Sequence, residues 1–216
     1  LLDLEIITIN QNKMVNLQKV VNEIFDHPSI KRLDEFDSFV SDIGHWNFHG
    51  DNILINNLTE TKNFSIIDPD INLDTCDPLF TLARFIYTYQ HDTADYGQYL
   101  IQSDFLEPSS MGNNYFIVKT MWPEVIFNAY TKLFCSIFSP YKSEKNDFIN
   151  RLDDENELLR FELNYLLCLL RGINANYNDT FTMPSNKLNF FQNNGIFLYI
   201  QTVLFANELK DRLYEN

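Results

Sequence analysis

Apolar side chains recur at helical spacing along several separate stretches of the chain. Residues 12–26 place a set of them mostly on one helical face: Val15, Leu17, Val20, Val21 and Ile24. His27-Pro28 ends this pattern, because the residue before a proline is disfavoured in the α region. Residues 33–42 repeat the spacing, as do residues 78–91, where a proline suits the first turn. We predict a helix over each range.

The second half of the chain has the same helical character and is unusually aromatic. Residues 114–138 carry Phe116, Trp122, Ile126, Phe127, Tyr130 and Phe134, and Pro123 is expected to start or kink a helix there. Residues 154–172 open with acids, which favour a helix N-terminus, and close at Gly172, which suits a C-cap. Residues 195–214 predict a last helix.

A different pattern interrupts these helices. The short β-rich runs 53–55 and 64–67 flank the polar residues 56–63, which predicts a hairpin with a long turn. The fold class expected for residues 1–216 is therefore α+β, mostly helical, in a single domain.

Composition narrows the classes of function. Of 216 residues 30 are acidic and 16 basic, a net charge of −14, which argues against a nucleic-acid-binding surface. Cys76, Cys135 and Cys168 fit neither a disulfide framework nor a metal pair, so we expect reduced thiols and a cytoplasmic location. Asn and Gln interrupt the most apolar stretch, residues 188–206, so no membrane span is predicted. The first residue, Leu1, suggests a fragment or processed segment of a longer protein.

Polar and titratable side chains cluster around the predicted hairpin. Residues 45–55 read HWNFHGDNILI, and residues 64–70 read FSIIDPD. Phosphoryl transfer from Mg·ATP needs a carboxylate at the acceptor hydroxyl and oxygen ligands that hold Mg²⁺ on the phosphates. Asn52 and Asp68 offer such oxygen atoms, and a hairpin can bring them together.

These residues resemble the catalytic core of the aminoglycoside/choline-kinase-like phosphotransferases, whose loop commonly reads H-G-D-L-H-x-x-N-[IV]-L. Ile67-Asp68-Pro69 is similar to a metal-binding I-D-P found in some members, and residues 76–85 resemble the family's G-D-P-x-x-D-L-A helix start. The resemblance covers residues 40–90. It implies the C-terminal lobe of a protein-kinase-like fold, with the hairpin at the catalytic loop. It also implies Mg²⁺ and ATP or GTP bound through Asn52 and Asp68, and a hydroxyl-bearing small molecule as acceptor.

The motif can be aligned in two registers. In the first, Asn47 occupies the position of the catalytic Asp and Asn52 is the metal ligand. In the second, the H-x-D-x4-N pattern is matched literally, with Asp51 as the base and Asn56 as the ligand. We favour the first, because Asn52 leads directly into an apolar run whereas Asn56 is followed by polar residues.

Several departures from the family pattern favour an alternative. An Asn at position 47 cannot accept the proton, although Asp51 or Asp70 could take over that role. Thr81 replaces the family's helix Asp, and neither a Gly-rich loop nor a strand Lys precedes the motif, so the N-terminal nucleotide lobe is expected to be absent from this chain. The leading expectation is a phosphotransferase for a small-molecule hydroxyl, whose activity the Asn at position 47 could weaken. The alternative is an inactive pseudokinase domain that binds a protein partner or a nucleotide without turnover.

Overall fold

The structure is a computed structural model. It describes residues 6–9, 12–33, 48, 52–55, 64–68, 77–92, 106–108, 115–118, 154–182 and 188–215. The strands are β1 (Ile6–Ile9), β2 (Asn12–Val15), β3 (Ile53–Ile55), β4 (Phe64–Ile66), β5 (Leu106–Pro108) and β6 (Tyr115–Val118). The helices are α1 (Leu17–Asp26), α2 (Pro28–Leu33), α3 (Pro78–Asp92), α4 (Glu155–Thr182) and α5 (Leu188–Glu215). The described part of the chain is mostly helical, which confirms the predicted fold class at this level.

The core is built around the two long helices. α4 packs against α5 on one side and against α3 on the other, while α1 and β2 pack against α5. The largest fully buried side chains include Phe161 and Tyr165 of α4 and Leu209 of α5. Burial of such side chains supplies most of the driving force that holds helices together. Among the described residues, no helix is long and apolar enough to cross a membrane.

Local signals explain where two of these helices begin. The side-chain oxygen of Asn16 accepts the Gln18 N–H at 2.8 Å, which caps α1. Asp154 does the same for α4, accepting from Asn156 at 2.8 Å. α1 ends at Asp26 as predicted, with His27 extended before the proline, and α2 then begins at that proline.

Four strands form a sheet that the sequence patterns did not predict. Its order is β2-β1-β6-β5, with β1 antiparallel to β2 and parallel to β6. The predicted helix over 12–26 is therefore wrong for residues 12–15, and the helix predicted within 114–138 is wrong for residues 115–118. The Tyr-Phe-Ile-Val run of β6 is rich in strand-forming residues, and pairing with β1 decides its conformation.

The Asn207 side chain of α5 binds the edge strand β2 of this sheet. Asn207 accepts the Val15 N–H at 3.2 Å through Oδ1 and donates to the Val15 carbonyl at 3.3 Å through Nδ2. The amide thus pairs with both backbone groups of the last β2 residue, as a neighbouring strand would.

The predicted helix end at Gly172 is also wrong. α4 continues to Thr182, and Gly172 lies within it, where the Tyr87 side chain of α3 packs against its Cα. A Cβ at this position would clash with Tyr87 Oη, so the glycine serves a close approach of two helices rather than a cap. The helix predicted over 33–42 lies outside the described residues beyond Leu33.

Candidate functional site

The β3–β4 hairpin carries the candidate site at one of its ends. Ile53 pairs with Ile66 and Ile55 with Phe64 in antiparallel register, as the predicted hairpin requires. Beyond the last pair, the Ile67 N–H donates to the Asn52 carbonyl at 2.9 Å. This bond sets Asn52 opposite Ile67, the residue before Asp68. Asn52 and Asp68 therefore lie at the same end of the hairpin.

The two residues differ in environment. Asn52 is buried, with 6% of its surface exposed, whereas Asp68 is exposed to solvent. Asp68 also has φ 55°, in the left-handed region that few residues other than glycine adopt. Such backbone conformations are concentrated at ligand-binding and catalytic positions, because the surrounding structure must hold them in place.

The donor atoms at this end of the hairpin match the preferences of one class of metal. A carboxylate and a side-chain amide oxygen are hard ligands, and Mg²⁺ is commonly held by one or two such groups together with water and phosphate oxygens. The exposure of Asp68 leaves room for those further ligands. Among the described residues, no group of three or more His, Cys, Asp and Glu side chains could hold a metal.

An aromatic contact links the motif to α3. The ring of Phe48, four residues before Asn52, lies 5.3 Å from the ring of Phe85, centroid to centroid. This distance falls within the range at which aromatic rings attract each other. Phe48 is thereby packed on the middle of α3.

The start of α3 is organised by one carboxylate. Asp77 Oδ1 accepts the Leu79 N–H at 2.9 Å and caps the helix. Its Oδ2 accepts from Arg160 Nη2 at 3.0 Å and from Asn164 Nδ2 at 3.1 Å, both on α4. The Arg160 and Asp77 side chains are only 14% and 25% exposed. Solvent therefore screens this pair less than an ion pair on the open surface.

Sequence reasoning missed the α4 side of this cluster. The spacing of Glu157 and Arg160 was a usable signal, since acidic and basic side chains three residues apart meet on a helix, and their atoms Oε1 and Nη1 lie 3.6 Å apart. No local pattern showed that Arg160 and Asn164 would reach Asp77, because that contact joins residues distant in the sequence.

Displaced pKa values occur in the described parts of α4 and α5. Burial raises the pKa of the Cys168 thiol to about 11 and that of Tyr199 to about 12. Burial also raises the pKa of Glu162, although Arg212 opposes the shift. A thiol of raised pKa inside apolar surroundings is unreactive, so Cys168 has the properties of a core residue, as predicted.

Several predicted positions lie outside the described residues. They are Asn47 at the base position, the alternative bases Asp51 and Asp70, and also His45, His49, Asn56, Cys76 and Cys135. The structure places Asn52 and Asp68 at the same end of the hairpin, and their role as metal ligands stays a prediction. The candidate bases stay predictions.

In comparisons with known protein families, with characterised proteins and with solved structures, this chain matches none.

Proposed function

We propose that this chain is the catalytic-loop lobe of a phosphotransferase that uses Mg²⁺ and ATP or GTP to phosphorylate a hydroxyl of a small molecule. The observation that carries the proposal is the closure of the β3–β4 hairpin by the bond from Ile67 N–H to the Asn52 carbonyl. It sets a side-chain amide and an exposed carboxylate at one hairpin end, which supports the proposal.

The proposal gives each side chain a specific task. Asn52 and Asp68 hold Mg²⁺ through their side-chain oxygens, and the bound ion supplies positive charge that offsets the charge on the transferred phosphate. The left-handed backbone at Asp68 favours the proposal, since it fixes where the chain turns immediately after Ile67. Acceptors are antibiotics, sugars or amino alcohols with an accessible hydroxyl.

The position of β3 favours the first of the two motif registers. The strand begins at Ile53, directly after Asn52, and ends at Ile55, before position 56. In the first register Asn47 occupies the base position, and an amide there can orient a hydroxyl without taking its proton. Loss of general-base help costs about 10²- to 10⁴-fold in rate, so activity is slowed rather than abolished.

Binding of the nucleotide tests the proposal directly. The melting temperature of the chain is measured with ATP and with GTP, each in the presence of Mg²⁺ and of a chelator. A ligand that binds the native state stabilises it, so we expect an increase that depends on Mg²⁺. Asp68→Ala should abolish this increase. The matched control is Asp211→Ala, which removes an exposed carboxylate of α5 and should leave it intact. An unchanged increase in Asp68→Ala contradicts the metal assignment.

Turnover distinguishes the two registers. In the first register, Asn47→Asp restores a base and should raise phosphoryl transfer by about 10²-fold or more. If that variant has no effect while Asp51→Ala abolishes transfer, the second register is correct. Phosphate release and phosphorylated acceptor are measured separately, because hydrolysis of the nucleotide alone would not test the acceptor site.

A second candidate function is a pseudokinase that binds a nucleotide or a protein partner without turnover. Asn47 and Thr81 favour it, since both replace acids of the family pattern, and Thr81 lies on α3 one turn after Asp77. Nucleotide binding without turnover, in the wild type and in Asn47→Asp, would support this candidate over the enzyme.

A further inference from the structure

Two contacts with α4 hold α3 in place. One precedes Phe85, the residue that contacts Phe48, and the other follows it. At its start, Asp77 binds Arg160 and Asn164 of α4. Further along, Tyr87 packs directly against Gly172 of α4. Both contacts involve buried or half-buried side chains, so α3 has little freedom to shift along α4 or rotate against it.

Phe85 lies between these two points in the sequence and carries the ring on which Phe48 rests. Phe48 in turn precedes Asn52 by four residues, and the Asn52 carbonyl receives the bond that closes the hairpin. A series of contacts therefore runs from the Asp77–Arg160 pair through α3 to the two rings, and the chain leads from Phe48 to Asn52, at the end of the hairpin that carries Asp68.

The geometry points to Asp77 and Arg160 as positioning residues for the Asn52–Asp68 end of the hairpin. Neither residue is assigned a contact with a ligand; they act through α3, Phe85 and Phe48. The inference deepens the proposed function and rests on it for the effect on nucleotide binding. Its effect on the hairpin itself is independent of any reaction.

The structure offers a second ion pair of α4 as a matched comparison for the Asp77–Arg160 pair. Arg212 of α5 binds Glu162 of α4, with Nη2 2.6 Å from Oε1, and this pair lies on neither α3 nor the hairpin. Arg160→Met and Arg212→Met each remove one guanidinium that is paired with a carboxylate. Only the Asp77–Arg160 pair should affect the hairpin.

Amide hydrogen exchange measures the hairpin end without reference to function. The Ile67 N–H reports the bond to Asn52, and the Leu169 N–H reports the buried middle of α4. Global destabilisation accelerates Leu169 at least as much as Ile67, so it does not raise the ratio of the Ile67 rate to the Leu169 rate, whereas local opening of the hairpin does raise it. We expect this ratio to rise about tenfold in Arg160→Met and in Asp77→Asn, and not to rise in Arg212→Met.

Asp77→Asn covers the case in which Arg160→Met does not fold, because an Asn at position 77 keeps an oxygen that can cap α3. A wild-type ratio in the folded variants overturns the inference, and so does an equal rise in Arg212→Met.

The affinity for Mg·ATP, measured by calorimetry on the same variants, provides the second readout. We expect it to fall about tenfold in Arg160→Met and Asp77→Asn and to be unchanged in Arg212→Met, because loosening the hairpin lowers the population of the binding-competent form. Unchanged affinity in the first two variants overturns the positioning role at the nucleotide site. If the wild type itself binds no Mg·ATP, the proposed function fails, and the exchange ratio still decides whether the pair holds the hairpin.

Discussion

The core formed by α3, α4 and α5 and the β3–β4 hairpin use their apolar side chains in opposite ways. In the core, Phe161 and Tyr165 are each 1% exposed and stack on one another, and the Tyr165 ring also meets Phe205 edge-on. In the hairpin, Leu54 and Ile66 are each 47% exposed. The core therefore removes far more apolar surface from water for each residue that it orders.

This contrast separates stability from chemistry. The hairpin has three-residue strands, and a two-stranded hairpin of this size is at best marginally stable alone. One contact near it with the helices is that of Phe48, just before the hairpin in the chain, with Phe85 of α3. The end of the hairpin exposes the Asp68 carboxylate to solvent. A buried carboxylate would lose its hydration, which costs much free energy. A rigid scaffold that carries a polar loop is a common arrangement for binding sites.

Truncation of one large side chain in each region tests the contrast most strongly. Phe161→Ala removes a fully buried ring and should lower the free energy of unfolding by about 3–5 kcal/mol, from lost burial and the cavity left behind. Leu54→Ala removes a half-exposed side chain and should cost less than about 1 kcal/mol. Urea unfolding followed by circular dichroism measures both. Similar losses in the two variants would show that the hairpin contributes to the core after all.

Addition of a single methyl group inside the core is the next test. Gly172→Ala would place a Cβ against Tyr87 Oη and 2.8 Å from its Cζ, so the tyrosine or α3 must move. We expect a loss of about 1–3 kcal/mol from overpacking, partly offset by the better helix propensity of Ala. The comparison variant is Tyr87→Phe, in which the nearest atom is absent and the same substitution should cost less. An equal cost in both backgrounds would contradict the close approach of α3 and α4.

The sequence predicted the parts of this molecule that local patterns control. The hairpin follows from two short apolar runs around a polar turn, and α3 follows from its helical spacing and from Asp77-Pro78 at its start. The juxtaposition of Asn52 and Asp68 was predictable because the hairpin register alone brings them to one end.

The features that the sequence did not predict depend on distant partners. The parallel pairing of β1 with β6 joins Ile6 to Tyr115, which no periodicity reveals. Gly172 fits a C-cap by composition, and only the Tyr87 side chain explains why a glycine lies inside α4. The same holds for Arg160, whose partner Asp77 belongs to another helix.

The smallest expected effect is a change in how the free energy of unfolding depends on pH, and it involves the carboxyl group of Glu162. Burial raises the pKa of Glu162 above its usual value of 4.5, and nearby Glu208 adds to the shift while Arg212 opposes it. The folded protein therefore holds this proton more tightly than the unfolded chain does. The resulting stabilisation is present below pH 4.5 and is lost as pH rises through the folded-state pKa.

In Glu162→Gln the group no longer titrates, so the free energy of unfolding should fall less between pH 4.5 and pH 7 than it does in the wild type. Urea titrations at several pH values measure this slope. Glu215→Gln, at the exposed end of α5, serves as the control and should keep the wild-type slope. Parallel curves for the wild type and Glu162→Gln would mean that Arg212 compensates fully for burial. The Glu162 carboxyl would then titrate like an exposed carboxyl group of the hairpin. The two regions would in that case differ in packing alone.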